Sequence, residues 1–235
     1  MYKNKEVWAT IGSKIVSNIS YYWEFSFSED EIFELIANDE YLLDDSQEVY
    51  GKRLIDFLKI WELIRVKIIE SKENNRNKSG KTWAFTIEDY KTIYLLLDEE
   101  AKYKDAFSKY DDGRSETLEM ISFFEESLIE EATLEAFLED MLITFIYFAI
   151  EKPFGEHTIV FFDLISSAMI LYKGFGPIFP TYKDEMEEIK NQLNSLIRQC
   201  TGMKIEHYNR APGFQSCFKK LLDVSETTKL LLDAI

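Results

Sequence analysis

The chain has 235 residues, of which 46% are hydrophobic and 30% are charged, and its formal net charge is -16. This length and composition argue against a disordered protein and allow one good core, or one core with a small appendage. Such an acidic chain repels phosphate backbones, so we expect no nucleic-acid partner. Acidic runs such as Glu125-Glu126 are either solvated helix faces or contacts for a basic protein.

Cysteine content and hydropathy bear on the compartment. Cys200 and Cys217 are the only cysteines, and they form neither a disulfide framework nor a CxxC motif. The N-terminus leads into no apolar signal core. The most apolar stretch, 141–150, has about half the length that a membrane-spanning helix needs. We therefore expect a cytoplasmic protein without a membrane partner, and export as an effector stays open.

Helical periodicity dominates the first part of the chain. Apolar residues recur every four positions from Val7 to Ile19 and predict an amphipathic helix. Ser28 and Glu31 have the spacing of a capping box, which predicts that the next helix begins there. A single long helix is predicted from about Gln47 to Glu70, and the polar stretch at 72–81 predicts an exposed loop.

The middle of the chain is less regular. Thr86 is predicted to cap a helix, and residues 104–114 are polar with a turn at Asp111-Asp112-Gly113. The segment Met120–Phe124 is too short for periodicity to decide, so an edge strand and a buried helix turn both stay open.

Two strongly apolar helices follow. Leu128–Glu151 is apolar on more than one face, as expected of a helix that packs on several sides, and Pro153 ends it. The second is predicted from Thr158 to Tyr172 and ends at Gly174. Two amphipathic helices are predicted after it, at Glu185–Arg198 and Phe214–Leu232. No internal repeat or strand-rich block occurs, so the sequence predicts an all-α fold.

The segment that joins the two apolar helices, Lys152-Pro153-Phe154-Gly155-Glu156-His157-Thr158-Ile159-Val160, resembles the signature of the Fic family. That signature is His-Pro-Phe-x-Asp/Glu-Gly-Asn-Gly-Arg, with a second Arg three residues on. Pro153, Phe154 and Glu156 match it. The stretch from Leu171 to Ile178 is similar to the family's Leu-x-x-Gly-Tyr-x-Pro-Ile. The resemblance implies a Fic-like helical domain built on a central helix–loop–helix, with or without a small β-hairpin flap.

The resemblance also implies three regions. Residues 1–80 would form an N-terminal helical region, 81–200 the Fic-like core, and 201–235 a C-terminal helical extension. In the first region Ser20 and Glu24 match the Ser/Thr-x-x-x-Glu-Gly/Asn motif of an inhibitory helix, although Phe25 replaces the small residue. The flap would lie at 114–125, directly before the core helices.

Most side chains with which the family performs chemistry are replaced here. Lys152 stands at the position of the histidine general base, and His157, at the first glycine, is the candidate substitute. Thr158 replaces the asparagine that contacts phosphate, while Val160 and Asp163 replace the two arginines. Glu156 alone corresponds to the acidic residue that holds magnesium in the family. The positions equivalent to the family's nucleotide loop are Pro153, Phe154, Gly155, Thr158, Val160 and Asp163.

These replacements predict a catalytically impaired pseudoenzyme or a protein-binding module, since loss of a general base alone costs about 10²–10⁴-fold in rate. Two alternatives stay open. One is a divergent transferase that moves AMP, or another phosphate-containing group, from a nucleotide to a protein hydroxyl and uses ATP and Mg²⁺. The other is a component of a toxin–antitoxin pair. A protein partner is expected in each case, and a nucleotide only if the protein is active.

Overall fold

The computed structural model describes residues 3–19, 27–77, 83–110, 113–114, 116–130, 133–178 and 183–234. Almost all regular structure in these ranges is helical, which confirms the predicted all-α fold. The chain divides into two compact units, Met1–Glu100 with Leu232–Ile235, and Ala101–Leu231. Among the described residues no helix is both long enough and apolar enough to cross a membrane.

The first unit is built from helices that pack in pairs. Helix α1 packs against α2, and α4 packs against α3 and α5. A single 3₁₀ turn, Glu40–Leu42, connects α2 to α3. The helices of this unit are α1 (Lys5–Ile19), α2 (Glu29–Ala37), α3 (Ser46–Tyr50), α4 (Lys52–Asn77) and α5 (Ile87–Leu97).

Both predicted N-caps are confirmed. The Ser28 hydroxyl accepts a hydrogen bond from the Glu31 amide at 3.3 Å, and the Glu31 carboxylate accepts one from the Ser28 amide at 2.8 Å. Thr86 and Asp89 repeat this exchange at the start of α5, with the same two distances. Each pair satisfies two amides that the first turn of a helix otherwise leaves without partners.

The single long helix predicted from Gln47 to Glu70 is wrong. Gly51 has φ of +85°, a value outside the helical range, and it separates α3 from α4. Helix α4 then continues to Asn77, so helix replaces most of the loop predicted at 72–81. Residues 78–81 of that predicted loop lie outside the described part of the chain.

A stacked pair of tryptophans occupies the core of the first unit. The rings of Trp8 on α1 and Trp61 on α4 lie parallel, with centroids 4.0 Å apart, and the Trp61 Nε1 donates to the Trp8 carbonyl at 3.4 Å. Gly12, one turn after Trp8, makes room for them. A Cβ at Gly12 would lie 2.5 Å from Trp61 Nε1 and 2.6 Å from Ile36 Cδ1. Gly12 therefore sets how closely α1 approaches α2 and α4.

We predict that Gly12→Ala lowers the free energy of unfolding by about 1–3 kcal/mol, because the added methyl overpacks the tryptophan pair. Urea denaturation of the full chain measures this. Thr10→Ala on the same helix lies away from the contact and should change stability by less than about 0.5 kcal/mol. Equal effects of the two substitutions would contradict the packing argument.

The second unit is organised around α7. This helix contacts α6, α8, α9 and the 3₁₀ turn Ile205–Arg210. Helix α8 is more deeply enclosed, since twelve of its sixteen residues are buried. The helices of this unit are α6 (Glu116–Glu130), α7 (Leu134–Glu151), α8 (Thr158–Lys173), α9 (Lys183–Cys200) and α10 (Phe214–Asp233), of which residues 232–233 belong to the first unit.

The irregular middle of the chain proves to be mainly helical. Met120–Phe124 lies within α6, so of the two open alternatives the helix is correct and the edge strand is wrong. Strands β1 (Lys109–Tyr110) and β2 (Gly113–Arg114) form one short antiparallel pair, and residues 111–112 between them are outside the described part. The flap predicted at 114–125 is therefore helical from residue 116.

The first apolar helix begins later than Leu128. Thr133 caps α7 by accepting a hydrogen bond from the Ala136 amide at 3.3 Å, and α6 ends at Glu130. The second apolar helix ends as predicted at Gly174, which has φ of +84° and donates to the carbonyls of Ile170 and Leu171. The predicted boundaries at residues 80 and 200 rest on the Fic resemblance and stay predictions.

Candidate functional site

The loop between α7 and α8 starts where the backbone leaves the helix. Lys152 adopts a left-handed conformation with φ of +49°, and its amide donates to the Phe148 carbonyl at 2.9 Å. Pro153 follows, and a proline has no amide hydrogen with which to continue a helix. The helix therefore ends at Glu151, as the sequence predicts.

Most backbone amides of the loop then donate to acceptors nearby in the chain. Gly155 donates to the Lys152 carbonyl at 2.9 Å, and His157 donates to the Phe154 carbonyl at 3.1 Å. The Thr158 amide donates to the Gly155 carbonyl. The Phe154 amide donates to the Thr158 hydroxyl at 3.0 Å, and both of these residues are buried. A backbone anion site needs several amides that point outward together, whereas these amides donate to acceptors of the loop itself.

Aromatic residues from earlier in the chain pack against this loop. Phe154 is fully buried and stacks on Phe107, with ring centroids 5.1 Å apart and planes inclined by 9°. Phe161 on α8 completes the cluster, 4.6 Å from Phe154. Gly155 has φ of +56°, and a Cβ there would lie 2.7 Å from the Tyr103 ring.

Sequence reasoning did not find Tyr103 and Phe107. The available signal is two aromatics four residues apart in a segment that otherwise reads as polar and turn-rich. This spacing is equally typical of a short surface helix, so it does not point to the loop. The contact becomes visible only when the two segments are brought together by the fold.

Two of the three charged or titratable side chains of the loop are exposed, and the third is largely covered. Lys152 is exposed, and the Glu156 side chain is 87% exposed. The His157 side chain is 13% exposed, with its Nε2 at 3.7 Å from the Glu156 carboxylate. No group of three or more His, Cys, Asp or Glu among the described residues could hold a metal ion. Glu156 therefore offers a single carboxylate ligand, and its metal role stays a prediction.

The remaining positions of the predicted nucleotide loop face inward. Thr158 is 1% exposed and Val160 is 2% exposed, so the equivalents of the asparagine and the first arginine are enclosed in the unit. Pro153 is half-buried. The predicted inhibitory residues, Ser20 and Glu24, lie outside the described part of the chain.

Asp163, at the position of the second arginine, interacts electrostatically with Lys190 on α9. Burial raises the pKa of Asp163 to about 7, and the charge of Lys190 opposes that rise. Burial also lowers the pKa of Lys190 to about 8, against the charges of Asp163 and Glu187. Position 163 therefore holds a carboxyl group that resists ionisation.

Comparisons with models of protein families, with curated protein sequences and with solved structures found no match to this chain. The resemblance to the Fic family thus depends on the residues of the α7–α8 loop and on the end of α8. It remains a prediction about the function of these residues.

We predict that Thr158→Val lowers the free energy of unfolding by about 1–3 kcal/mol, because it leaves the buried Phe154 amide without an acceptor. Thr158→Ser keeps the hydroxyl and should cost only about 1 kcal/mol for the lost methyl. Urea denaturation of both variants makes the comparison. If the valine variant were as stable as the serine variant, the loop would not depend on this hydrogen bond.

We predict that Asp163 makes the protein less stable as pH rises from about 4 to about 7. The folded-state pKa of about 7 lies above the value of 3.8 for an aspartate in water, so the folded state binds the proton more tightly. Its stabilising contribution is complete below the unfolded pKa and is lost as pH rises through the folded pKa. Denaturation of wild type and Asp163→Asn at several pH values measures the difference.

In that experiment the free energy of unfolding of the wild type should fall by about 1 kcal/mol or more between pH 4 and pH 7, relative to that of Asp163→Asn. Lys190 titrates at higher pH, since its pKa of about 8 is lowered from 10.5, so it contributes mainly above this interval. Asp223→Asn, at an exposed position of α10, is the matched control and should run parallel to wild type. Parallel curves for Asp163→Asn would refute the role of Asp163.

Proposed function

We propose that this protein is a Fic-like helical protein that has lost nucleotide transfer and that acts by binding another protein. One observation carries the proposal. The backbone amides of Lys152, Phe154, Gly155, His157 and Thr158 all donate to acceptors within α7, the loop or the first turn of α8. In an active relative of this family the corresponding loop would have to receive the phosphates of a nucleotide.

The exposure of Lys152 supports the same conclusion. A lysine abstracts protons at neutral pH only where burial or a nearby cation destabilises its charged form, and Lys152 is exposed to water. His157 has a carboxylate beside it, at 3.7 Å, and its side chain is largely covered. Its role as a base is therefore decided by the substitution experiment described below.

The charges near the loop also oppose phosphate binding. Transfer of a phosphate-containing group needs cations that neutralise the developing charge. The two positions that would supply them contain the buried Val160 and the acidic Asp163. With a chain charge of -16, the long-range field also repels a nucleotide triphosphate.

Binding of a protein partner is compatible with every one of these features. An acidic surface attracts a basic protein and accelerates its association at low salt. The helical scaffold and its surface do not require a nucleotide, since the buried Phe154 amide has its acceptor within the chain. We therefore place the function of the chain on its surface.

We predict that about 1 mM ATP with Mg²⁺ leaves the melting temperature of the full chain unchanged. A ligand at about 100 times its Kd would stabilise the folded state by about 2.7 kcal/mol, which raises the melting temperature by several degrees. Incubation with labelled ATP and a mixture of candidate protein substrates, including the chain itself, should give no nucleotide transfer.

The opposite result has a clear meaning. Nucleotide transfer that Lys152→Ala or His157→Ala abolishes would refute the proposal and would establish a divergent transferase. Glu135→Gln on the surface of α7 is the control, and it should leave any such activity unchanged.

A further inference from the structure

Three large apolar side chains are exposed within one short segment of the first unit. Leu42 is 57% exposed, Leu43 is 58% exposed and Val49 is 61% exposed. They lie in residues 40–49, which connect α2 to α4 through the 3₁₀ turn and α3. We call residues 40–49 the acidic leucine segment. Single exposed apolar residues are common, and three within ten positions make this segment a candidate interaction site of the first unit.

The backbone of this segment is fixed by hydrogen bonds. The Leu42 amide donates to the Asp39 carbonyl at 3.0 Å, and the Ser46 amide donates to the Leu43 carbonyl at 3.1 Å. The Ser46 hydroxyl donates to the carbonyl of Tyr41, and both side chains are buried. The Tyr50 hydroxyl closes the segment by donating to the Glu40 carboxylate at 2.8 Å. The leucines are thus presented by a preorganised surface, which reduces the entropy lost on binding.

The charged residues of the segment are all acidic. It contains Glu40, Asp44, Asp45 and Glu48, and the sequence has no lysine, arginine or histidine between Lys14 and Lys52. Lys5 pairs with the neighbouring Asp39, whereas Asp44, Asp45 and Glu48 form no ion pair with any described residue. Among the described residues, three unpaired carboxylates therefore share this segment with three exposed apolar side chains.

We propose that the acidic leucine segment is a docking surface for a basic amphipathic segment of another protein. A second copy of this chain would bring like charges together, and anionic lipid or nucleic acid would be repelled for the same reason. An apolar face flanked by lysine or arginine matches the surface in both respects. The inference rests on the proposed protein-binding function, and it does not depend on what happens at the α7–α8 loop.

The test uses the full chain and a synthetic helical peptide made only of leucine and lysine, with the leucines along one face. Fluorescence anisotropy of the labelled peptide measures binding. We expect binding that weakens as salt rises from about 50 mM to about 500 mM. The analogue with glutamate in place of lysine should not bind.

Two triple variants locate the binding surface. Leu42→Ala, Leu43→Ala and Val49→Ala together should weaken binding about tenfold or more, because apolar burial is lost. Asp44→Asn, Asp45→Asn and Glu48→Gln together should also weaken binding about tenfold, mainly at low salt. The matched control removes the same charge from exposed positions elsewhere, with Glu135→Gln, Asp184→Asn and Asp223→Asn, and should change affinity by less than about twofold.

Hydrogen exchange of the wild-type chain locates the bound peptide independently, and it does not require that any variant fold. Peptide should slow exchange in residues 39–51 and leave α8 unchanged. The proposal is overturned if the peptide does not bind, or if the control variant weakens binding as much as the two triple variants do. It is also overturned if the peptide slows exchange outside residues 39–51 instead. None of these outcomes bears on nucleotide transfer, which the ATP experiment tests separately.

Discussion

The hydrogen bond from the Phe154 amide to the Thr158 hydroxyl is the constraint on which the α7–α8 loop depends. Proline at 153 removes one donor from the loop, and the left-handed Lys152 redirects the chain after α7. Phe154 then enters the core, so its amide is buried and needs an acceptor from the chain itself. Thr158 supplies that acceptor from the first turn of α8. A single residue thus joins the loop to the helix that follows.

This arrangement holds the loop without any contact to a ligand. The stack of Phe154 on Phe107 and the close approach of Gly155 to Tyr103 stabilise the same conformation. The buried Phe154 amide has its acceptor within the chain, so the loop does not need a nucleotide to satisfy it. Under the proposed function, this is the physical reason why the loop keeps its conformation without nucleotide chemistry.

Local chemistry in the sequence predicts much of this fold. Ser28, Thr86, Pro153 and Gly174 mark helix ends through caps and backbone preferences that depend only on neighbouring residues. The break between α3 and α4 at Gly51 is not predicted, because an isolated glycine inside a helical pattern does not reveal the sign of its φ. The aromatic contacts beneath the loop and the Asp163–Lys190 interaction join segments far apart in sequence, and no local pattern specifies them. Element types follow from the sequence, whereas the side chains that surround the candidate site follow from tertiary packing.

The α7–α8 loop and the acidic leucine segment lie in different units and differ in how they expose polar and apolar groups. In the second unit, the buried Phe154 amide and Thr158 hydroxyl bond to each other and are not available to a ligand. In the first unit, the acidic leucine segment turns apolar side chains outward although Tyr41 beside them is buried. The amides of Leu42 and Leu43 donate to the carbonyls of Asp39 and Glu40, and these bonds fix the link between α2 and α4 in a conformation that leaves both side chains exposed. Their exposure is therefore a consequence of how the link is built, and a partner that covers them would gain the apolar burial that the fold itself does not use.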